Sequence, residues 1–240
     1  MALSKPLPFA SKKNLILGAL PDKELEHLSS YLEPIALSRG KILYAAGDTV
    51  PYGYFLLTGM VSLLSVTEDG RATEVGMVGN EGMAGLPLIL GFSTTPYEVV
   101  VQLQCSAMRI KAEKLKAEFN QGEQLHRLLL RYTYTLLAQI SQSASCNIFH
   151  TVKQRLCRWL LIGSDRVHSD TLSLTQEFLS QMIGTPRTSV TMIARSLQKE
   201  GLINYNRGTI QILDRTGLEA AACECYGIVN ESITRYIIAA

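Results

Sequence analysis

The feature that most constrains this chain lies in its C-terminal third. LTQEFLSQMIGTPRTSVTMIAR, residues 174–195, carries two apolar patterns of helical period separated by Gly184-Thr185-Pro186. Thr175 is a good N-cap for a first helix running from Glu177 to Ile183. Gly184 can adopt the positive φ that ends a helix. Thr185 then reads as a second N-cap with Pro186 at the first helical position, where its missing N–H costs nothing. The pattern predicts helix, tight turn, helix. In the second helix Val190, Ile193, Ala194 and Leu197 recur at i, i+3, i+4 and i+7 and form the face to be buried. Arg187, Thr188, Thr191 and Arg195 fall opposite, with Ser189 and Met192 at the edges. No acid occurs from residue 178 to 199.

Such a face suits the major groove of DNA. Arg187 can read a guanine edge with two hydrogen bonds, Thr188, Ser189 and Thr191 can contact bases or phosphates, and Met192 can touch a thymine methyl. Thr175 is placed for a phosphate from the first helix, and Arg195 for another. Asn206-Arg207-Gly208 between two apolar runs predicts a hairpin turn, with Arg207 at the tip of a wing. Helix-turn-helix plus hairpin is a winged helix. Charge agrees: residues 151–213 hold 8 Lys/Arg against 4 Asp/Glu, whereas residues 1–110 hold 8 against 10.

Upstream the texture differs. Between Gly40 and Ile110, short runs rich in Val, Leu, Tyr and Thr (41–44, 54–57, 61–67, 73–78 and 98–103) alternate with glycines at 40, 47, 53, 59, 70, 79 and 82. Read as turns, they predict a small all-β barrel or jelly roll. A long helix should follow, its apolar stripe running through Leu128, Leu129, Tyr132, Leu136, Leu137, Ile140, Ala144 and Ile148. A helix of this kind needs covering on more than one side. It can pack on its own barrel and on its twin in a dimer, with Leu129, Tyr132, Leu136 and Ile140 as the contact residues. A helix is also expected over 152–162, with Lys153, Arg155 and Arg158 on its polar side, followed by a polar loop over 163–170.

On these motifs the segment Leu174–Tyr226 resembles the DNA-binding domain of the Crp/Fnr (cyclic-AMP receptor/fumarate-nitrate reductase) superfamily of bacterial transcription regulators. The barrel and long helix are similar to that family's sensor domain and dimer helix. VGNEGMAGLPLILG and the Ala-Ala-Cys-Glu-Cys-Tyr tail resemble one subgroup of it. The resemblance implies an α+β fold: an N-terminal β jelly-roll domain of cyclic-nucleotide-binding type, a dimerisation helix and a C-terminal winged helix-turn-helix. It also implies a homodimer, a palindromic double-stranded DNA site, a signal read by the barrel, and RNA polymerase as a partner when the protein activates. The expected boundaries are a loosely ordered lead-in over 1–20, the sensor over 21–118, the dimer helix over 119–149, the winged helix over 150–220 and a tail over 221–240.

The departures from the family pattern bear on the effector. Cyclic-nucleotide binders of the family carry a Gly-Glu pair and then an Arg-Ser or Arg-Thr pair. Here the corresponding positions read Gly85-Leu86 and Thr94-Thr95, and no Lys or Arg occurs from Ala72 to Met108. A buried phosphate without a cation is costly, so cyclic AMP is not expected as the effector, and Gly85, Leu86, Thr94 and Thr95 are candidate positions for a different one. Thr188 and Met192 also stand where many members have Glu and Arg, so the half-site sequence of those members does not carry over.

Other chemistries find little support. The iron–sulfur branch of the family uses N-terminal cysteines, and none precedes Cys105. The histidines at 27, 126, 150 and 168 lie far apart and offer no haem or metal spacing; His126 and His150 read as helix-surface or interface residues. Cys223-x-Cys225, with the distant Cys146 and Cys157, could hold a metal or switch by oxidation, but the spacing matches no common zinc module, and no metal is expected. No nucleophile–base motif is present, so the chain is not expected to be an enzyme. Scattered cysteines and the absence of a secretory signal predict a cytoplasmic protein, and no stretch reads as a membrane span. The alternatives are a ligand-binding or scaffolding protein whose winged helix docks a protein, and a thiol-based redox-sensing regulator.

Overall fold

The computed structural model describes residues 11–238, so the expected lead-in over residues 1–10 and the last two residues of the tail lie outside the described residues. Residues 11–20 are docked, not loose. Helix α1 (Leu15–Gly18) buries Ile16 and Leu17, and Asn14 caps it while donating to the carbonyls of Leu56 and Gly82. Helix α2 (Asp22–Ser29) follows, with Asp22 and Glu24 in its first turn.

The sheet strands are β1 (Glu33–Leu37), β2 (Ile42–Tyr44), β3 (Tyr52–Val66), β4 (Ala72–Val78), β5 (Met83–Ala84) and β6 (Glu98–Lys111). All pair antiparallel, along the path β1-β6-β3-β4, with β2 on β6 and β5 on β3. The long β3 corrects the reading of Gly53 and Gly59 as turns, since both lie inside that strand. Gly59 has φ +80° at a register shift against β6, and a Cβ there would lie 2.2 Å from the Gln104 carbonyl oxygen. It makes a β-bulge, which local sequence cannot distinguish from a turn. Strand β1, an edge strand carrying Pro34, was not expected.

Helix α3 (Ala112–Asn120) closes the barrel, and α4 (Gln124–Phe149) is the long helix. Leu129, Tyr132 and Leu136 are buried against their own barrel, and Ile140 is half-buried. This corrects their expected role as dimer contacts: their intrachain partners already take them out of water. The exposed apolar row is a different one, Leu130, Tyr134, Leu137 and Ile148, with the small residues Ser141 and Ala144 between. Its spacing of four and three residues keeps it on one side of the helix.

Helix α5 (Val152–Val167) starts with a capping box from Thr151 and Gln154. It runs through the region expected as a loop and ends at His168 in left-handed conformation (φ 52°). Gly163 lies buried inside this helix, not in a loop. Arg158 is also not on a polar face: it is 6% exposed, and Arg166 is 4% exposed. Both are drawn into a polar joint between α5 and the barrel.

That joint uses the segment Gly79–Gly82. Arg166 donates to Glu81 Oε1 at 2.5 Å, and Glu81 Oε1 accepts from the Gly79 amide at 3.0 Å. A Cβ at Gly79 would meet Arg166 Cδ at 2.6 Å, and one at Gly82 would meet the Tyr132 ring at 2.1 Å. The two glycines therefore form a socket that admits one side chain from α5 and one from α4. Nearby, Glu74 accepts hydrogen bonds from Ser62 and from Trp159 Nε1, the latter at 3.0 Å.

Burial pushes the Glu74 carboxyl up from 4.5 to about 7, against the opposing effects of the Ser62 bond, the Arg158 charge and the Trp159 bond. The folded state thus holds this proton over a window where the unfolded state has lost it. The stabilisation is complete below the unfolded value of 4.5 and is lost as pH rises through about 7. At about 1.4 kcal/mol per unit, the loss amounts to a few kcal/mol. Chemical denaturation at pH 5, 6, 7 and 8 should show stability falling with this slope, and Glu74→Gln should flatten it. An unchanged slope in the variant would contradict the assignment.

Candidate nucleic-acid interface

After α5 come β7 (Thr171–Ser173), α6 (Gln176–Ile183), α7 (Arg187–Lys199), β8 (Ile203–Asn206) and β9 (Thr209–Ile212). The strands form a small sheet in the order β7-β9-β8. Thr175 caps α6, its Oγ accepting from the Phe178 amide at 3.2 Å, and Gly184 ends α6 with φ 61°. The start of α7 differs in detail from expectation. Pro186, with ψ 141°, is itself the cap residue; no side chain caps this end, and its carbonyl accepts from the Ser189 and Val190 amides. Thr185 belongs to the turn, its amide donating to the Ser180 carbonyl at 3.0 Å.

Val190, Ala194 and Leu197 are buried and Ile193 is half-buried, which seats α7 on α6 and α5. Two cations from α5 hold the pair in place. Arg155 donates to the Ile183 carbonyl at the α6 C-terminus, and Lys153 pairs with Glu200 at 2.7 Å just beyond α7. The opposite face of α7 presents Arg187, Thr188, Met192 and Arg195 to solvent. Ser189 is half-buried. Thr191 is corrected: its hydroxyl lies 2.8 Å from Gln176 Oε1 and 2.9 Å from the Arg187 carbonyl, so it ties α7 to α6 and is not a free reader.

The wing turns at Arg207 (φ 46°) and Gly208 (φ 79°), both left-handed, as a two-residue hairpin of type I′ requires. The Gly208 carbonyl accepts from the Leu174 amide at 2.7 Å, which fixes the wing beside the start of α6. A cleft of about 360 Å³ results, lined by Thr175, Gln176, Arg187, Tyr205, Arg207 and Gly208. Two guanidinium groups and a threonine hydroxyl from three separate elements thus converge on one opening. Thr175 Oγ is occupied as an acceptor, which leaves its proton to donate outward. Arg187 lies 3.9 Å from Glu177, both well exposed, so that pair is weak and exchangeable for a phosphate or a base.

Gln176 and Tyr205 were missed by sequence reasoning. Tyr205 is anchored by a hydrogen bond from its hydroxyl to the Leu174 carbonyl at 3.2 Å. The signal for Gln176 was its position directly after the Thr175 cap. For Tyr205 it was the alternation of the wing strand.

The candidate effector positions do not share one environment. Leu86 is buried among apolar barrel residues that include Tyr44, Val50 and Phe55. A Cβ at Gly85 (φ 112°) would lie 3.1 Å from Gly53 Cα and from the Tyr52 carbonyl oxygen. Thr95 is buried with its hydroxyl on the Tyr97 carbonyl, and exposed Thr94 bridges to Thr49. Among the cysteines, Cys157 lies in the core of the winged helix, apart from Cys146, Cys223 and Cys225, which pack together.

Comparisons with known proteins agree with this architecture. The profile described as a Crp-like helix-turn-helix domain matches residues 154–221, and that of the cyclic nucleotide-binding domain matches residues 34–121. The chain is similar to the global nitrogen regulator of Nostoc sp., at 24% identity over 72% of this chain and 82% of that protein. It is similar to the CRP-like cAMP-activated global transcriptional regulator of Mycobacterium tuberculosis, at 22% identity over 81% of this chain and 90% of that one. The solved structure of FixK2 from Bradyrhizobium japonicum shares the fold, with a TM-score of 0.68 and 16% identity over 80% of this chain and 98% of that one. Among the described residues no helix is long and apolar enough to cross a membrane.

Proposed function

The chain belongs to the Crp/Fnr superfamily of transcription regulators, and we propose that it works as a homodimer that reads a palindromic DNA site through α7. Proteins of this family bind DNA and are regulators, not enzymes. The observation that carries the reading is the exposed, acid-free face of α7 set against the wing. Arg187, Thr188 and Met192 reach base edges, with Ser189 at the margin. Thr175, Arg195 and Arg207 take phosphates, and Gln176 and Tyr205 wall the cleft between them.

Dimerisation uses the outer row of α4, Leu130, Tyr134, Leu137, Ala144 and Ile148, and leaves the inner row on the barrel. Two copies of α7 then stand about one DNA turn apart, on the order of 34 Å. The barrel passes its signal through the Gly79–Gly82 socket, which touches α4 and α5 together. That signal is other than cyclic AMP: the segment from Ala72 to Met108 offers no cation to a phosphate, and Leu86 fills core space. RNA polymerase is the further partner where the protein activates, and the protein acts in the cytoplasm.

Leu137→Glu tests the assembly. Leu137 is 60% exposed, so the fold is kept, but a carboxylate in the centre of the dimer face is left without a partner. The variant should sediment as a monomer. Its affinity for a full palindrome should fall by a factor of about 10²–10⁴, because the second half-site is no longer bound intramolecularly. A variant that stays dimeric with full affinity contradicts this face.

A further inference from the structure

Cys146, His150, Cys223 and Cys225 offer four ligand atoms that all lie within 4.8 Å of one another. Cys146 lies in the last turn of α4, and His150 is its C-cap residue, whose amide donates to the Cys146 carbonyl at 3.1 Å. Cys223 and Cys225 come from the junction between α8 (Arg215–Ala221) and α9 (Cys225–Ile233). The three sulfurs are buried, and they form a small cluster separate from both hydrophobic cores. Cys146 Sγ lies 3.5 Å from Cys223 Sγ, and Cys225 Sγ lies 3.5 Å from His150 Nδ1. A tetrahedral zinc ion with Zn–S bonds of about 2.3 Å sets its sulfurs about 3.8 Å apart. The cluster is thus near that geometry, whereas a disulfide needs about 2.05 Å.

The surroundings are those of a metal site as well. His150 Nε2, the nitrogen turned away from the sulfurs, lies 3.1 Å from the Glu224 carboxylate. That contact fixes the tautomer with Nδ1 unprotonated and free to ligate, the carboxylate–histidine–metal arrangement. Gln142 donates to Cys225 Sγ at 3.0 Å.

We propose that Cys146, His150 Nδ1, Cys223 and Cys225 bind one zinc ion in a closed Cys₃His site at the hinge between the dimer helix and the DNA-binding domain. Binding replaces three thiol protons: Zn²⁺ and three S–H groups give a complex of net charge −1 and three protons released to solvent. The ion clamps the C-terminal helix α9 to the last turn of α4, directly before Thr151 opens α5. The individual spacings are ordinary; the long-range contact of residues 146 and 223 makes the site.

The test uses the full chain, purified in reductant, loaded with zinc and passed over a chelating resin. About one zinc per chain should remain, and loading should release about three protons. Cobalt substituted for zinc should give the intense ligand-field bands of tetrahedral coordination and a thiolate-to-cobalt charge-transfer band. Cys223→Ser with Cys225→Ser should lose the metal. Should that variant fail to fold, Glu224→Gln, at an exposed position, should keep the stoichiometry with affinity lowered about 10–100-fold. The proposal is overturned by zinc-free protein after loading, by an octahedral cobalt spectrum, by full metal retention in the folded cysteine variant, or by unchanged affinity in Glu224→Gln. Protein that stays zinc-free after loading and then forms a Cys146–Cys223 disulfide when a mild oxidant is added also overturns it, in favour of a dithiol switch.

Discussion

Arg187→Ala is expected to abolish sequence-specific DNA binding and leave the fold intact. The side chain is exposed, stands in the first turn of α7 and makes one long ion pair, with Glu177 at 3.9 Å. Its removal therefore costs little stability. In the complex, a bidentate arginine–guanine contact is worth about 1–3 kcal/mol. A dimer loses two of them, so the specific affinity should fall by a factor of about 30 to 10⁴. Non-specific binding should change far less, because Arg195, Arg207 and Thr175 remain for phosphates. Fluorescence anisotropy on a selected site and on a scrambled duplex, with thermal melting as the control for folding, separates the two effects. An equal loss on both duplexes would assign Arg187 to phosphate and not to a base.

Arg166→Met should have the largest effect on stability. Arg166 and Glu81 are almost fully buried, and each is satisfied by the other across the joint between α5 and the barrel. Removal of the cation leaves a buried carboxylate with the Gly79 amide and no counter-charge, at a cost of about 3–5 kcal/mol. The double variant Glu81→Gln with Arg166→Met should recover a good part of the loss, since neither charge is then stranded. Denaturant unfolding of the four proteins gives the coupling directly. Simple additivity of the two single losses would show that the pair does not hold the domains together.

The recognition unit was legible in the sequence because its signals are local. A cap at Thr175, a left-handed glycine at 184 and a left-handed pair at Arg207-Gly208 act over a few residues and need no distant partner. The long helix was legible for the same reason, but which of its two apolar rows faces inward was not. That choice is set by Gly82, whose missing side chain admits Tyr132. Arg158 reads as solvent-facing, as charged residues on a helix usually are, and Arg166 falls within the stretch expected as a polar loop. Arg166 is buried against Glu81, carried by a different domain, and the Arg158 charge acts on the buried Glu74 of that same domain. Gly59 reads as a turn from sequence because a bulge is defined by the partner strand, here Gln104 and Cys105. His150 and the three cysteines meet through a contact spanning 77 residues, which no reading of spacing along the chain can supply.

The proposed function rests on α7 and the wing reading a specific DNA sequence together. Selection of genomic fragments by the purified dimer, repeated at two salt concentrations, tests it most directly. A short palindrome should be enriched, with half-site centres about one helical turn apart. The logarithm of the binding constant should fall steeply and linearly with the logarithm of salt concentration. Enrichment of no common sequence, with binding indifferent to salt, would contradict it.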